Sequence, residues 1–160
     1  MKTYIIAEVG PNHNGDLNIA IKFINELAKI KCNAVKFQHG IPKNIYSNQS
    51  IFPDYQSNLK KKYKSPIVAA KKRLLKNEDH IRLNKECIKN KIDYLCSAFD
   101  LESIVFLNEN TNMSYFKIPS GEILSLDILN YIRNFDKKII LSTGMATKEE
   151  IDFSISYLNK

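Results

Sequence analysis

The chain has 160 residues, enough for one domain with its own core, and its 44% hydrophobic and 26% charged residues are those of a globular protein rather than a disordered or fibrous one. The net charge of +7 is concentrated at Lys60, Lys61, Lys62, Lys64, Lys71, Lys72, Arg73 and Lys76. With no nucleic-acid motif beside it, this cluster reads as a solvated helix face and loop that could also draw an anionic small substrate, so neither nucleic acid nor a membrane is an expected partner.

Taken in chain order, apolar and helical patterns alternate. Tyr4–Val9 is a short apolar run, interrupted by Glu8 and without a cleavage site, so it reads as a first strand and not a signal peptide. Leu17–Ile30 repeats apolar residues at helical spacing, and Ala34–Gln38 is a second strand. A polar, aromatic, Pro-containing stretch from His39 to about Ser65 follows, and helical pattern then runs through Asn90. Ile92–Ser97 is a third strand, with Asp100 as N-cap of a helix through Asn108. Tyr115–Ile118 is a fourth strand, Ser125 is placed to cap Leu126–Asn134, and Lys138–Ser142 is a fifth strand. Thr147 followed by Glu150 is a capping box for a last helix. The three cysteines, Cys32, Cys87 and Cys96, lie in apolar contexts without zinc-site spacing, which suits buried thiols and a cytoplasmic location.

About five βα units in one domain, residues 1–160, imply a parallel sheet covered by helices. A doubly wound sheet and part of a (β/α)₈ barrel both fit that order. The polar residues on the strands separate the two. Glu8 lies between Ala7 and Val9, Lys36 between Val35 and Phe37, Ser97 between Cys96 and Ala98, and Lys117 between Phe116 and Ile118. Gln38 shares the face of Lys36, and Ser142 follows Leu141. Because side chains alternate along a strand, one face is apolar and the other carries charge near the C-terminal strand ends. A doubly wound sheet would bury that charge under helices. A barrel presents it at the rim where barrel active sites form.

Each of these residues also has a plainer reading. Glu8, Lys36 and Lys117 could form a structural ion network, although unpaired buried charges are costly enough to favour a functional role. Gln38, Ser97 and Ser142 alone carry little information. His13 suits a turn-stabilising hydrogen bond better than metal ligation, and Asp100 suits a cap better than a catalyst. The turns Lys117–Glu122 ("KIPSGE") and Leu141–Thr147 ("LSTGMAT") add small residues and hydroxyls after two strands. Together with two lysines they describe a cradle for a phosphate or carboxylate, with Glu8 and Glu122 as rim carboxylates.

The motifs "IIAEVGPNHNGD", "AVKFQ", "LCSAFDLES", "FKIPSGE" and "ILSTGMAT" occur in the order found in the sialic acid synthase family, and the chain resembles that family outside about His39–Lys76. The resemblance implies a (β/α)₈ barrel that condenses phosphoenolpyruvate with an N-acetylated hexosamine. C3 of phosphoenolpyruvate attacks the open-chain aldehyde, water captures C2, and phosphate leaves by C–O cleavage. It implies that Lys36, Ser97, Lys117, Ser120 and Ser142 bind phosphoenolpyruvate, with Ser97 standing where threonine is common in the family. Glu122 would handle the attacking water, and Glu8 and Gln38 would face the sugar and the reacting atoms. A divalent metal, manganese or magnesium, is implied with ligands outside this chain, since His13, His39 and His80 do not map to the family's metal histidines.

The resemblance further implies that the chain is the N-terminal part of an incomplete barrel, lacking the later strands and a C-terminal antifreeze-like domain. It is then expected to be inactive alone and to act as a homo-oligomer or with a complementing C-terminal half. Two other functions compete: a Schiff-base aldolase using Lys36 or Lys117, and an inactive, truncated sugar-binding fragment. Residues 39–76, with Tyr46, Asn48 and Tyr55, are expected to form a lid or an oligomer contact.

Overall fold

A computed structural model describes residues 3–47 and 49–159. Asn48, one of the residues assigned to a lid or contact, lies outside that range. Five strands, β1 (Ile6–Glu8), β2 (Ala34–His39), β3 (Asp93–Ala98), β4 (Tyr115–Ile118) and β5 (Lys138–Leu141), form one parallel sheet in sequential order. The sheet curls into half of a barrel. Its register sets Glu8 beside Lys36, Gln38 beside Ser97 and Ser97 beside Lys117.

Helices α1 (Leu17–Lys29), α5 (Asn77–Lys89), α6 (Leu101–Asn110), α7 (Leu126–Ile132) and α8 (Lys148–Leu158) accompany the strands. Asp16 caps α1 by accepting from the Asn18 and Ile19 amides. Asp100 caps α6 through the Ser103 amide, and the Thr147–Glu150 capping box opens α8, both as predicted. Ser125 stands at the N-cap of α7 as predicted, but its hydroxyl makes no capping bond and donates instead to the Glu122 carboxylate. Helices α1 and α5 end alike, with Lys31 and Lys91 in the left-handed region (φ +60° and +54°) and the following amides reaching back to Leu27 and Cys87. Glycine usually occupies that position.

The face toward the helices is dry. Val35, Phe37, Cys96 and Phe116 are fully buried there, and Tyr94, Ala98 and Ile118 nearly so, against Ile24, Leu83, Ile104, Leu107 and Leu129 from the helices. The hydrophobic contribution of such a layer is about 25 cal/mol per Å² removed from water.

The segment between β2 and α5 is more ordered than its composition suggested. It contains α2 (Pro42–Ile45), a 3₁₀ turn (Asp54–Gln56), α3 (Ser57–Lys62) and α4 (Pro66–Arg73). Proline starts two of these helices, where its missing N–H costs nothing. The helical pattern expected up to Asn90 is present but divided in two: the backbone is extended at Leu74, and α5 begins anew after Lys76.

Candidate functional site

The opening turn explains how the first carboxylate is delivered. Gly10 has φ +50°, and a Cβ there would lie 3.1 Å from Glu8 Oε1 and 3.2 Å from Gln38 Nε2. Glycine therefore lets both side chains close over the turn. Gly15 (φ +81°) sits so tightly on α4 that any side chain would overlap the Lys72 carbonyl. Between them His13 is buried, its Nδ1 accepting from the Gly15 amide while its ring lies 6.2 Å from Phe37. It fills the turn-stabilising role read from the sequence.

Along the inner face, adjacent strands build one polar array. Glu8 and Lys36 form an ion pair. Lys36 Nζ donates to Ser97 Oγ at 3.3 Å. Lys117 lies next to Ser97 across the β3–β4 pairing, and its Nζ donates to Ser142 Oγ at 2.7 Å and to the Ile118 carbonyl at 2.8 Å. Lys117 is only 8% exposed. Its pKa is lowered to about 8, first by burial and then by the Lys36 charge, with Glu8 acting in the opposite direction. Two ammonium groups on the same face, of which only Lys36 is paired with a carboxylate among the described residues, leave an excess of positive charge suited to an anion.

The other sequence-predicted residues lie around this array. Gln38 flanks Glu8 at Gly10. Ser120 follows β4 and stands beside Gly144, its Oγ 3.5 Å from where a Cβ would be, so the turns after β4 and β5 meet. Glu122 is at the same end but is not brought to the lysines. Its carboxylate accepts from Ser125 and lines a separate cleft with Asp100, Leu101, Val105 and Ile128.

Three features were not legible as site features. Asp100 does more than cap a helix: it also accepts from the Ile41 amide and Ser103 Oγ, tying the loop after β2 to α6. His39 and His80 form a buried pair on the helix face, ring centroids 4.4 Å apart, although they are far apart in sequence. Arg73 read as one more charge on a solvated lysine face, yet its Nε is buried.

The described residues do not by themselves fit a divalent metal. Glu8 is already paired with Lys36, and no group of three or more His, Cys, Asp or Glu converges among them. No helix among them is long and apolar enough to cross a membrane.

Comparison with known proteins places the chain in a family. The chain is 43% identical to the N,N'-diacetyllegionaminic acid synthase of Campylobacter jejuni over 99% of its own length and 47% of the relative's. It is 32% identical to the Legionella pneumophila enzyme of the same name, over 97% of this chain and 43% of that protein. The chain thus spans about half the length of the curated relatives it matches. A crystal structure of N-acetylneuraminic acid synthetase from Leptospira borgpetersenii superposes with a TM-score of 0.82 at 28% identity, covering 99% of this chain and 50% of that one. A truncated 3-deoxy-D-arabino-heptulosonate 7-phosphate synthase from Thermotoga maritima (TM-score 0.64, 13% identity, 98% of this chain and 47% of that one) shares the fold. Residues 23–160 match the NeuB family, and the chain belongs to it.

Proposed function

We propose that this chain supplies the phosphoenolpyruvate-holding half of a sialic-type acid synthase, which joins phosphoenolpyruvate to an N-acetylated hexosamine and releases phosphate. The observation that carries the reading is the array from β1 to the turn after β5, in which Lys36 and Lys117 share one face, Lys36 bonded to Ser97 and Lys117, beside Ser97 in register, bonded to Ser142. The synthases among the relatives support the same reaction class. In this reading Lys36 with Ser97 and Lys117 with Ser142 hold the phosphate and carboxylate, Ser120 adds a hydroxyl, and Glu8 and Gln38 face the sugar. Charge fixed in advance around the anion costs no reorganisation during reaction. Glu122 would have to leave Ser125 to orient the attacking water, which suits a residue on a short turn. Turnover requires residues beyond this chain, including the ligands of any divalent metal.

One feature favours the Schiff-base aldolase: an amine with its pKa near 8 is partly neutral and nucleophilic at working pH. The synthase relatives weigh against it. Calorimetric titration of the chain with phosphoenolpyruvate, followed by phosphate-release assays with N-acetylmannosamine and a complementing C-terminal half, tests the main reading. Binding abolished by Lys117→Ala supports it. Borohydride trapping of pyruvate on Lys117, with no phosphoenolpyruvate binding, refutes it.

A further inference from the structure

The end of the sheet opposite the lysines carries inner-face residues that the proposed reaction does not use. Tyr4 and Glu8, Asp93 and Ser97, and Tyr115 and Lys117 are separated by even steps along the chain, so the first of each pair faces the same side as the second. The Tyr4 hydroxyl donates to the Asp93 carboxylate, and the Tyr4 ring lies 6.0 Å from that of Tyr115, centroid to centroid. Tyr4 stands just before β1, while Asp93 opens β3 and Tyr115 lies at the start of β4. These contacts therefore pass over β2. Asn33 holds the backbone beneath them: its side-chain carbonyl accepts from the Ile5 amide at 2.8 Å, and its main-chain carbonyl accepts from the Asp93 amide at 2.9 Å.

Neighbouring strands lie about 4.8 Å apart, so in a flat sheet β1 and β4 would stand about 14 Å apart with their side chains upright. The rings of Tyr4 and Tyr115 meet because the sheet curls. The same curl governs Lys36 and Lys117, which sit on β2 and β4 with β3 between them. We propose that Tyr4, through Asp93 and Tyr115, latches the curl at the N-terminal end of the sheet and so sets how closely Lys36 and Lys117 converge on one anion. Tyr4 is then a positioning residue. That the anion is phosphoenolpyruvate rests on the synthase reading, whereas the latch does not. Lys117 reports on the curl. Burial and the Lys36 charge hold its pKa down, and both weaken if the sheet opens; Glu8, which acts the other way, has the smallest influence of the three. Burial and the Asp93 carboxylate raise the pKa of the Tyr4 phenol, so the latch keeps its proton while Lys117 titrates.

The test titrates Lys117 by side-chain NMR in the isotope-labelled 160-residue chain, assigned with Lys117→Arg, and measures phosphoenolpyruvate affinity by calorimetry. Tyr4→Phe and Asp93→Ala should each raise the Lys117 pKa from about 8, by roughly half a unit to one unit, and weaken phosphoenolpyruvate about threefold to tenfold. Loss of a carboxylate would by itself lower a lysine's pKa, so a rise in Asp93→Ala reports geometry. The two changes combined should add little, since they break one bond. Tyr4→Ala also removes the ring contact and should shift Lys117 further. Tyr4 is 41% exposed, so its replacement takes little from the core, and circular dichroism checks each fold. Ile104→Val, which loosens the helix face instead, should lower stability in urea without moving Lys117. If Tyr4→Ala lowers stability and leaves Lys117 in place, or if Lys117 titrates at its ordinary value in the unaltered chain, the latch is overturned, and phosphoenolpyruvate binding decides the synthase reading separately. If Lys117 shifts but affinity does not, the positioning role is overturned. If Lys117 shifts and the unaltered chain binds no phosphoenolpyruvate, the latch stands and the synthase reading fails.

Discussion

The two faces of the sheet treat buried polar groups in opposite ways. On the inner face each ammonium finds partners: Lys36 in Glu8 and Ser97 of the adjacent strands, Lys117 in Ser142 of the next turn and the Ile118 carbonyl of its own strand. On the helix face His39 finds no hydrogen-bond partner for either ring nitrogen among the described residues, and among them His80 is held through Nδ1 alone, which meets the Tyr94 hydroxyl at 2.7 Å. Burial keeps the pKa of both imidazoles lowered, so they pack as neutral aromatic rings. Charge is kept where partners and a ligand can reach it, and polarity without charge is tolerated where the core excludes both.

The largest expected effect breaks the dry face. Phe37 is fully buried against Tyr94 and His13, so Phe37→Ala should lower the unfolding free energy by about 3–5 kcal/mol, read by urea denaturation. On the charged face, Lys36→Ala should weaken phosphoenolpyruvate binding about tenfold to a hundredfold in calorimetry, the range for hydrogen bonds to charged groups. An unchanged affinity would leave Lys36 a structural ion-pair partner only.

Acid separates the faces further. His13, His39 and His80 all have lowered pKa values in the folded chain, so the unfolded chain takes up more protons once pH falls below about 6.5. Their contribution to stability is complete above that pH and is lost as pH drops toward the folded values, by about 1.4 kcal/mol per pH unit for each histidine titrating. Denaturation between pH 7 and 5 should show this slope, and His39→Phe should reduce it. The inner face should respond at the other end of the scale. Lys117 loses its proton near pH 8, so affinity for phosphoenolpyruvate should fall by up to tenfold per unit above that pH. Lys117→Arg should remove that dependence, since a guanidinium stays charged. The smallest effect lies at the helix ends: Lys31→Gly and Lys91→Gly should each stabilise the chain by up to about 1 kcal/mol, by relieving a left-handed residue.

The same alternation made one face legible in the sequence. Lys36 and Lys117, each set between two apolar residues, required an inner face, and β4 formed over Tyr115–Ile118 as predicted. The capping box at Thr147 needed only a local pattern. What was missed depends on partners distant in the chain. His39 meets His80 only once β2 and α5 are packed, and Arg73 is singled out from its lysine neighbours only by where α4 docks. The break at Leu74 was hidden because the apolar pattern continues across it, and Ser125 chose Glu122 over its own helix, which no spacing rule weighs. Tyr46 lines a cavity between the loop after β2 and α4 while Tyr55 is largely exposed, a division composition could not make.

The seat of Gly15 on the Lys72 carbonyl has a consequence for how this fold can be altered. The first loop and the α4 insertion are fitted to one another, so neither behaves as an exchangeable cassette. A chimera importing residues 39–76 from a relative should fold well only when the donor's own Gly10–Asp16 loop travels with it.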